Sequence, residues 1–323
     1  MKKFSIFSVI AVCLFLVALP CSAQLDIVST TSVLADPLTH IGADHVKVIV
    51  ISDPTICPHM QSDVIQNNIQ MQKDFILNAD LFVAHNGSVD IAYVMPFVDK
   101  FMEANGDGSV NWTTLPDPAM VWNTPDSAVA LAAEAKGWLV SRDPANASDY
   151  EKNFGVYAGQ IRQQDVNDRE KEVISGQDVI VMVWQRDAAE QWLGLNVVAI
   201  YAPEFYMGGK FTAAKLVDDI NAHPDTYRNV SYVIENMQSG ELGKGIEEAL
   251  NDKGIPAKRV IFTNFPGSLP GVATLPDVLS HNKDIVTPAG TPVSSPTPTR
   301  APAAAFTVLC GILGGVLVLV SRK

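Results

Sequence analysis

Seven short apolar runs alternate with helical stretches between residues 25 and 263, and this alternation constrains the fold most strongly. Each run has five or six residues and ends in polar or turn-forming residues, as buried parallel strands do. Between them lie helix signals such as Thr124 before Pro125, an N-cap followed by a first-turn proline. The sequence therefore predicts an α/β fold with mainly parallel sheets. The predicted strands cover residues 25–29, 46–51, 81–85, 178–183, 196–201, 230–235 and 259–263.

A long helical pattern divides these strands into three before it and four after it. Ser148 and Glu151 form a capping-box pattern, and apolar residues then recur at spacings of four, three and four. A helix over 148–174 would be about 40 Å long at about 1.5 Å per residue. We therefore expect two lobes, 24–146 and 176–285, joined by one helix over 147–175.

Both ends of the chain carry the pattern of targeting or tethering segments. Two lysines, an apolar run and small residues predict a signal peptide cleaved after Ala23. Cys21 would indicate a lipoprotein, but Pro20 fits poorly before a lipidated cysteine. At the other end the sequence predicts a Pro/Thr/Ser-rich stalk, a membrane anchor and a cytoplasmic tail, over residues 286–302, 303–320 and 321–323.

The exported part is strongly acidic. The net charge of −12 includes five basic residues in the end segments, which leaves 18 basic against 35 acidic residues between them. Such a charge excludes nucleic acid and anionic membrane surfaces as partners and attracts cations. Four sequons predict N-glycosylation, at Asn86, Asn111, Asn146 and Asn229.

The loop after the second predicted strand concentrates possible metal ligands. Cys57, His59 and Met60 supply a thiol, an imidazole and a thioether within four residues. Cys57 is the only cysteine of the exported part, so that part has no internal disulfide. A buried thiol beside a surface histidine is the competing interpretation. Ligands of open α/β sheets collect beyond the carboxyl ends of strands, where this chain has His59, His85, Trp184, Gln185, Tyr201, Glu235 and Asn264.

An ordered set of segments over residues 25–280 resembles one receptor family. The set includes LDIVSTTSVLAD at 25–36, the Pro58-His59 pair, NADLFV at 78–83 and MVWNTP at 120–125, followed by the stretch 178–187 and Glu235-Asn236. In this order and spacing the chain resembles the solute-binding proteins of zinc and manganese ABC importers, in the helical-backbone metal receptor superfamily. The resemblance implies two α/β lobes on a rigid helix, an ABC permease as partner and a transition-metal ion as ligand.

The resemblance also implies a metal site, from which this chain departs. Members usually use three histidines and one carboxylate. The first histidine matches His59, but the second falls on Met120, the third near Trp184 or Gln185, and the carboxylate on Asn264. Glu235 matches an acidic position of the family. The candidate metal ligands are thus His59, Glu235, Met120, Asn264, Gln185 and Cys57, which we expect to gather between the lobes around His59 and Glu235. The resemblance implies zinc as the bound ion, and manganese is a further possibility that the family allows. The sulfur donors of Cys57 and Met120 would instead favour Cu(I).

Two functions follow from these features. The first is a monomeric solute-binding protein of an ABC importer, tethered to the extracellular face of the cell membrane by its C-terminal anchor. The alternative is a surface binding protein on the same fold whose metal site is degenerate and whose cleft binds another ligand. Catalysis is not expected. A thiol-dependent hydrolase would need Cys57 and His59 as nucleophile and base, and the sequence does not show that they can meet.

Overall fold

The computed structural model of the protein describes residues 24–106 and 108–287. The predicted signal peptide, anchor and tail lie outside these residues, as does the predicted stalk after residue 287. Among the described helices, none is long and apolar enough to cross a membrane. Val286 is fully buried in the core, so the boundary predicted before the stalk is wrong by at least this residue.

Two four-stranded sheets, parallel throughout, form the framework. The strand orders are β2-β1-β3-β4 and β6-β5-β7-β8. All seven predicted strands are confirmed to within one residue at either end, and β4 was not predicted. The strands are β1 (Leu25–Ser29), β2 (Val46–Val50), β3 (Leu81–Ala84), β4 (Trp112–Thr114), β5 (Asp178–Met182), β6 (Asn196–Tyr201), β7 (Val230–Asn236) and β8 (Lys258–Phe262).

Helices flank both sheets and confirm the predicted α/β class. Thr124 caps α6 as predicted, because its side chain accepts a hydrogen bond from the Ser127 backbone N–H. The described α-helices are α1 (Ser32–Gly42), α2 (Ser62–Met71), α3 (Lys73–Leu77), α4 (Ser88–Tyr93), α5 (Met95–Asn105), α6 (Pro125–Arg142), α7 (Ala147–Arg162), α8 (Asp168–Ile174), α9 (Ala213–Ala222), α10 (Lys244–Asp252) and α11 (Leu275–Asp284).

The connection between the sheets is shorter than the predicted helix. α7 ends at Arg162, and α8 begins after Asn167, so one continuous helix over 148–174 is wrong. Residues 163–166 separate the two helices, and Asn167 caps the start of α8, because its side chain accepts from the Glu170 N–H while the Glu170 carboxylate accepts from the Asn167 N–H. The capping box expected at Ser148 is also wrong, since α7 begins one residue earlier and has no side-chain cap.

The two lobes share one hydrophobic core cluster. Leu34 from α1 and Leu275 from α11 are both fully buried in it, with side chains from α6 and α7. A second link runs through Asp36, whose Oδ2 accepts the Leu275 backbone N–H at 2.7 Å. Each sheet reverses its strand order at one point, between β1 and β3 and between β5 and β7. Such switch points at the carboxyl ends of strands are where open α/β proteins bind ligands.

Candidate functional site

The loop after β2 brings Cys57 and His59 together at one edge of the first lobe. Cys57 Sγ lies 2.8 Å from His59 Nδ1, and Pro58 between them begins a short 3-10 turn. Gln61 fixes this loop, since its side-chain amide donates to the Asp53 and Ile56 carbonyls. The sequence named both residues as candidate ligands but could not show that their side chains meet.

Burial keeps this pair neutral. It raises the pKa of the Cys57 thiol, against a smaller opposing effect of the His59 backbone N–H, and it lowers the pKa of His59. A neutral imidazole is the form that binds metal ions, whereas a reactive cysteine needs a lowered thiol pKa. Metal coordination by Cys57 also needs the thiolate, so its raised pKa disfavours nucleophilic catalysis and requires the thiol to lose its proton on binding a metal, whereas the His59 imidazole is already in its metal-binding form.

Aromatic rings from both lobes surround His59. Its ring lies 6.1 Å from that of Tyr93 in the first lobe and 5.0 Å from that of Phe205 in the second, measured between centroids. Phe205 in turn lies 6.3 Å from Trp184. Tyr93, Phe205 and Met60 are exposed, so these residues form an apolar rim where the lobes meet, which we call the cleft mouth.

The switch point of the first sheet is occupied by a neutral pair. Thr31, after β1, places its Oγ1 2.7 Å from Nε2 of His85, which follows β3. Burial lowers the pKa of His85 to about 3, so its imidazole is neutral at physiological pH. Asp90 accepts the His85 backbone N–H at 2.7 Å, and burial raises the pKa of this carboxyl to about 6.

The switch point of the second sheet is occupied by amides. Gln185 Nε2 donates to Asn236 Oδ1 at 2.8 Å and to Asn264 Oδ1 at 2.9 Å. All three side chains are buried. Two of the predicted metal ligands, Gln185 and Asn264, therefore do meet, but they bind each other.

Glu235 was predicted to face His59 between the lobes, but its carboxylate is bound by partners within the second lobe. Its carboxylate is fully buried and accepts from Arg259 Nη1 at 2.6 Å and from the Gly243 N–H at 3.0 Å. Arg259 therefore neutralises the negative charge of Glu235 that a bound cation would otherwise use. Met120 is also directed elsewhere, since its side chain packs against the shared core.

Hydrogen bonds across the lobes connect the two switch points. The ring of Trp122 lies 4.8 Å from that of His85, with the two planes tilted by 35°, and its indole N–H donates to the Asn264 carbonyl at 2.8 Å. Asn123 Nδ2 donates to the Trp184 carbonyl at 2.9 Å, and Gln238 Nε2 to the Pro54 carbonyl at 2.9 Å. We call this set the interlobe seam; its members are Thr31, Pro54, His85, Trp122, Asn123, Trp184, Gln185, Asn236, Gln238 and Asn264.

The chemistry of the seam is polar and uncharged. Within the described residues there is no group of three or more His, Cys, Asp or Glu side chains arranged to hold a metal ion. Four buried seam atoms have no hydrogen-bond partner, namely His85 Nδ1, Asn123 Oδ1, Gln185 Oε1 and Gln238 Oε1. Sequence reasoning missed Asn123 and Gln238 as site residues. Asn123 follows Trp122 in a segment already singled out, whereas no sequence signal marks Gln238.

Comparison with known proteins identifies one family. The profile described as "Zinc-uptake complex component A periplasmic" matches residues 27–287. Among curated proteins, none matches significantly. A crystal structure of ZnuA superposes with a TM-score of 0.59 at 16% identity, covering 82% of this chain and 98% of that one.

Two further structures share the fold. A periplasmic metal-binding protein from Candidatus Liberibacter asiaticus has a TM-score of 0.60 at 16% identity, covering 82% of this chain and 99% of that one. The periplasmic zinc-binding protein TroA from Treponema pallidum has a TM-score of 0.55 at 13% identity, with coverages of 82% and 98%. At these identities the superpositions support the two-lobe fold, and the family profile supports membership.

Proposed function

Because the chain belongs to the family of the periplasmic component A of zinc-uptake complexes, we propose that it is the extracytoplasmic solute-binding protein of an ABC importer. The family consists of receptors that bind a solute outside the cytoplasm and pass it to a permease. Two parallel sheets with neighbouring carboxyl ends provide the framework for such a receptor. The permease is thus the proposed protein partner.

The proposed ligand is a transition-metal ion held at the cleft mouth by Cys57 and His59. The observation that carries this proposal is the 2.8 Å separation of Cys57 Sγ and His59 Nδ1 in a loop fixed by Gln61. Sulfur and imidazole donors suit zinc and Cu(I) better than manganese. The exposed thioether of Met60 lies next in the chain and would complete a softer donor set.

Metal-dependent stabilisation tests this proposal. Metal at about a hundred times its dissociation constant should add about 2.7 kcal/mol to the free energy of unfolding, and His59→Ala should remove that gain. The measurement is a thermal melt of metal-stripped protein with Zn²⁺, Mn²⁺ and, under reducing conditions, Cu(I). His223→Ala is the matched control, because it removes an exposed imidazole that is far from Cys57 in sequence and pairs with Asp219 of the preceding helix α9.

A second candidate is a receptor on the same fold that binds a ligand other than a metal ion. The observation favouring it is that Gln185, Asn264 and Glu235 are all engaged by internal partners. Half-buried Trp122 and Trp184 would then supply stacking surfaces. The same melts separate the candidates: if no ion at saturating concentration raises the melting temperature, the metal proposal fails and this one stands.

We further propose that the protein is tethered outside the membrane by residues 303–320. Deleting residues 303–323 should release the protein into the medium, because the deleted run is the chain's apolar C-terminal segment. Fractionation of cells and medium, followed by immunodetection, measures the release. If the shortened chain stays with the membrane and Cys21→Ser then releases it, lipidation rather than the C-terminal segment holds the protein.

A further inference from the structure

The interlobe seam joins the two positions at which this fold would hold its ligand. Thr31 and His85 bridge the switch point of the first sheet, and Gln185 and Asn236 bridge that of the second. Trp122 connects the two pairs through its contacts with His85 and Asn264. Side chains of the protein therefore contact each other across the place where a bound ion would connect the lobes.

The seam offers a divalent ion no compensating charge. Its side chains are amides, a hydroxyl, an indole and an imidazole whose low pKa keeps it neutral. Two acidic side chains lie nearby. Glu235 is paired with Arg259 at 2.6 Å, and Asp90 accepts hydrogen bonds from the His85 backbone N–H and the Thr30 hydroxyl. Moving a divalent cation from water into a buried site without anionic ligands is strongly unfavourable. The residues present between the lobes thus do not fit the three-histidine and carboxylate site that the family resemblance implies.

Three seam bonds cross from one lobe to the other and depend on no ligand. They are Trp122 Nε1 to the Asn264 carbonyl, Asn123 Nδ2 to the Trp184 carbonyl, and Gln238 Nε2 to the Pro54 carbonyl, at 2.8 to 2.9 Å. Asn123 and Gln238 are buried, and each uses a backbone carbonyl as acceptor, which fixes the orientation of its amide. Opening the lobes would exchange these bonds for bonds to water, so each favours the closed arrangement by its net contribution alone.

We infer that the interlobe seam is a built-in latch that replaces the family's metal ion: it excludes a transition metal from between the lobes and holds them together without one. Gln185 and Asn264 contribute to the exclusion because they place neutral amides where the family has charged or imidazole ligands, and Gln185 Nε2 takes up the Asn264 Oδ1 acceptor. Asn123, Gln238 and Trp122 provide the latch. This inference goes beyond the proposed metal binding at the cleft mouth, which uses Cys57 and His59 and would leave the seam unchanged.

Distance measurement between the lobes in the full chain tests the latch. Exposed Lys73 and Glu248, one in each lobe, are replaced with p-acetylphenylalanine and carry nitroxide labels, so that no cysteine is needed. Double electron–electron resonance then gives the distance distribution in metal-stripped protein. In the protein with the unsubstituted seam, we expect one narrow population of interlobe distances. Asn123→Ala with Gln238→Ala should add a second, longer population.

The matched control removes the same two side-chain types within one lobe. Asn251 donates to the Ala257 carbonyl of the second lobe and Gln177 to the Val173 carbonyl of the adjoining helix α8. Neither bond crosses between the lobes, so Asn251→Ala with Gln177→Ala should leave the distribution narrow. Circular dichroism verifies folding of each double variant. If the seam double variant does not fold, the single variants Asn123→Ala and Gln238→Ala are measured instead, each against its own control.

A Zn²⁺ titration in the Cys57→Ser background separates this inference from metal binding at the mouth. With the thiol absent, the latch predicts no change in the interlobe distance on addition of Zn²⁺. A broad metal-free distribution that narrows with Zn²⁺ would overturn the inference, because it would place a metal between the lobes. A seam variant whose distribution matches that of its control would equally overturn it, whatever the melts show for His59→Ala.

Discussion

Replacing His85 with glutamine should make the protein more resistant to acid, by about 3 kcal/mol between pH 7 and pH 4 relative to the unsubstituted chain. Burial lowers the pKa of His85 from 6.5 to about 3. As the pH falls below 6.5, the unfolded chain gains a proton on this residue and the folded chain does not. The stability associated with neutral His85 is therefore present above pH 6.5 and is lost as the pH falls towards 3.

Asp90 should act in the opposite direction over an overlapping range. Burial raises the pKa of its carboxyl from 3.8 to about 6, so the folded chain takes up this proton before the unfolded chain does. Stability linked to Asp90 therefore increases as the pH falls from 6 to 3.8 and offsets the loss from His85. Asp90→Asn should remove the offset and steepen the acid loss between pH 7 and pH 4 by about 2 kcal/mol.

Urea unfolding at a series of pH values measures both effects. Each variant is compared with the unsubstituted chain at every pH, so that the other carboxylates cancel. The two difference curves should slope in opposite directions between pH 6 and pH 4. Parallel curves for His85→Gln and the unsubstituted chain would show that this imidazole is not held neutral, which would contradict the uncharged seam.

The fold was predictable because buried parallel strands leave a strong pattern. Short runs of five or six residues, mostly apolar and followed by polar or turn-forming residues, located seven strands to within one residue. β4 escaped because Trp112–Thr114 has only three residues, of which two are threonine. The break between α7 and α8 was present in the sequence as Asn167 and Glu170, but the apolar spacing before it favoured one long helix.

The site was less predictable, because the end of a predicted strand indicates where a side chain lies but not which side chains it bonds to. The prediction that His85, Gln185 and Asn264 lie near the carboxyl ends of the strands agrees with the structure, but the strand pattern did not identify their hydrogen-bond partners. His85 pairs with Thr31 in the first lobe, and Gln185 pairs with Asn236 and Asn264 within the second. Glu235 shows the limit most clearly. Its partner Arg259 lies on the neighbouring strand β8, and the two-residue sequence pattern Glu235-Asn236 contains no information about that pairing.

Replacing Arg259 with methionine should lower the free energy of unfolding by about 3–5 kcal/mol, because it leaves a buried carboxylate without its counter-charge. Arg259 Nη1 lies 2.6 Å from Glu235 Oε2, and the Glu235 side chain is fully buried. Methionine retains much of the apolar stem of arginine, so the loss reports the charge and its hydrogen bonds. Urea unfolding at pH 7 measures the change.

Two further variants test whether the stability loss in Arg259→Met comes from breaking the Glu235–Arg259 ion pair. Arg186→Met removes an exposed arginine that pairs with Glu190 at 3.0 Å, and it should change stability by about 1 kcal/mol or less. Glu235→Gln combined with Arg259→Met removes both charges and should recover most of the stability lost in the single variant. If Arg259→Met alone costs no more than Arg186→Met, Glu235 does not depend on its arginine. Its carboxylate would then be available to a cation, and the assignment of Glu235 as a structural residue would fail.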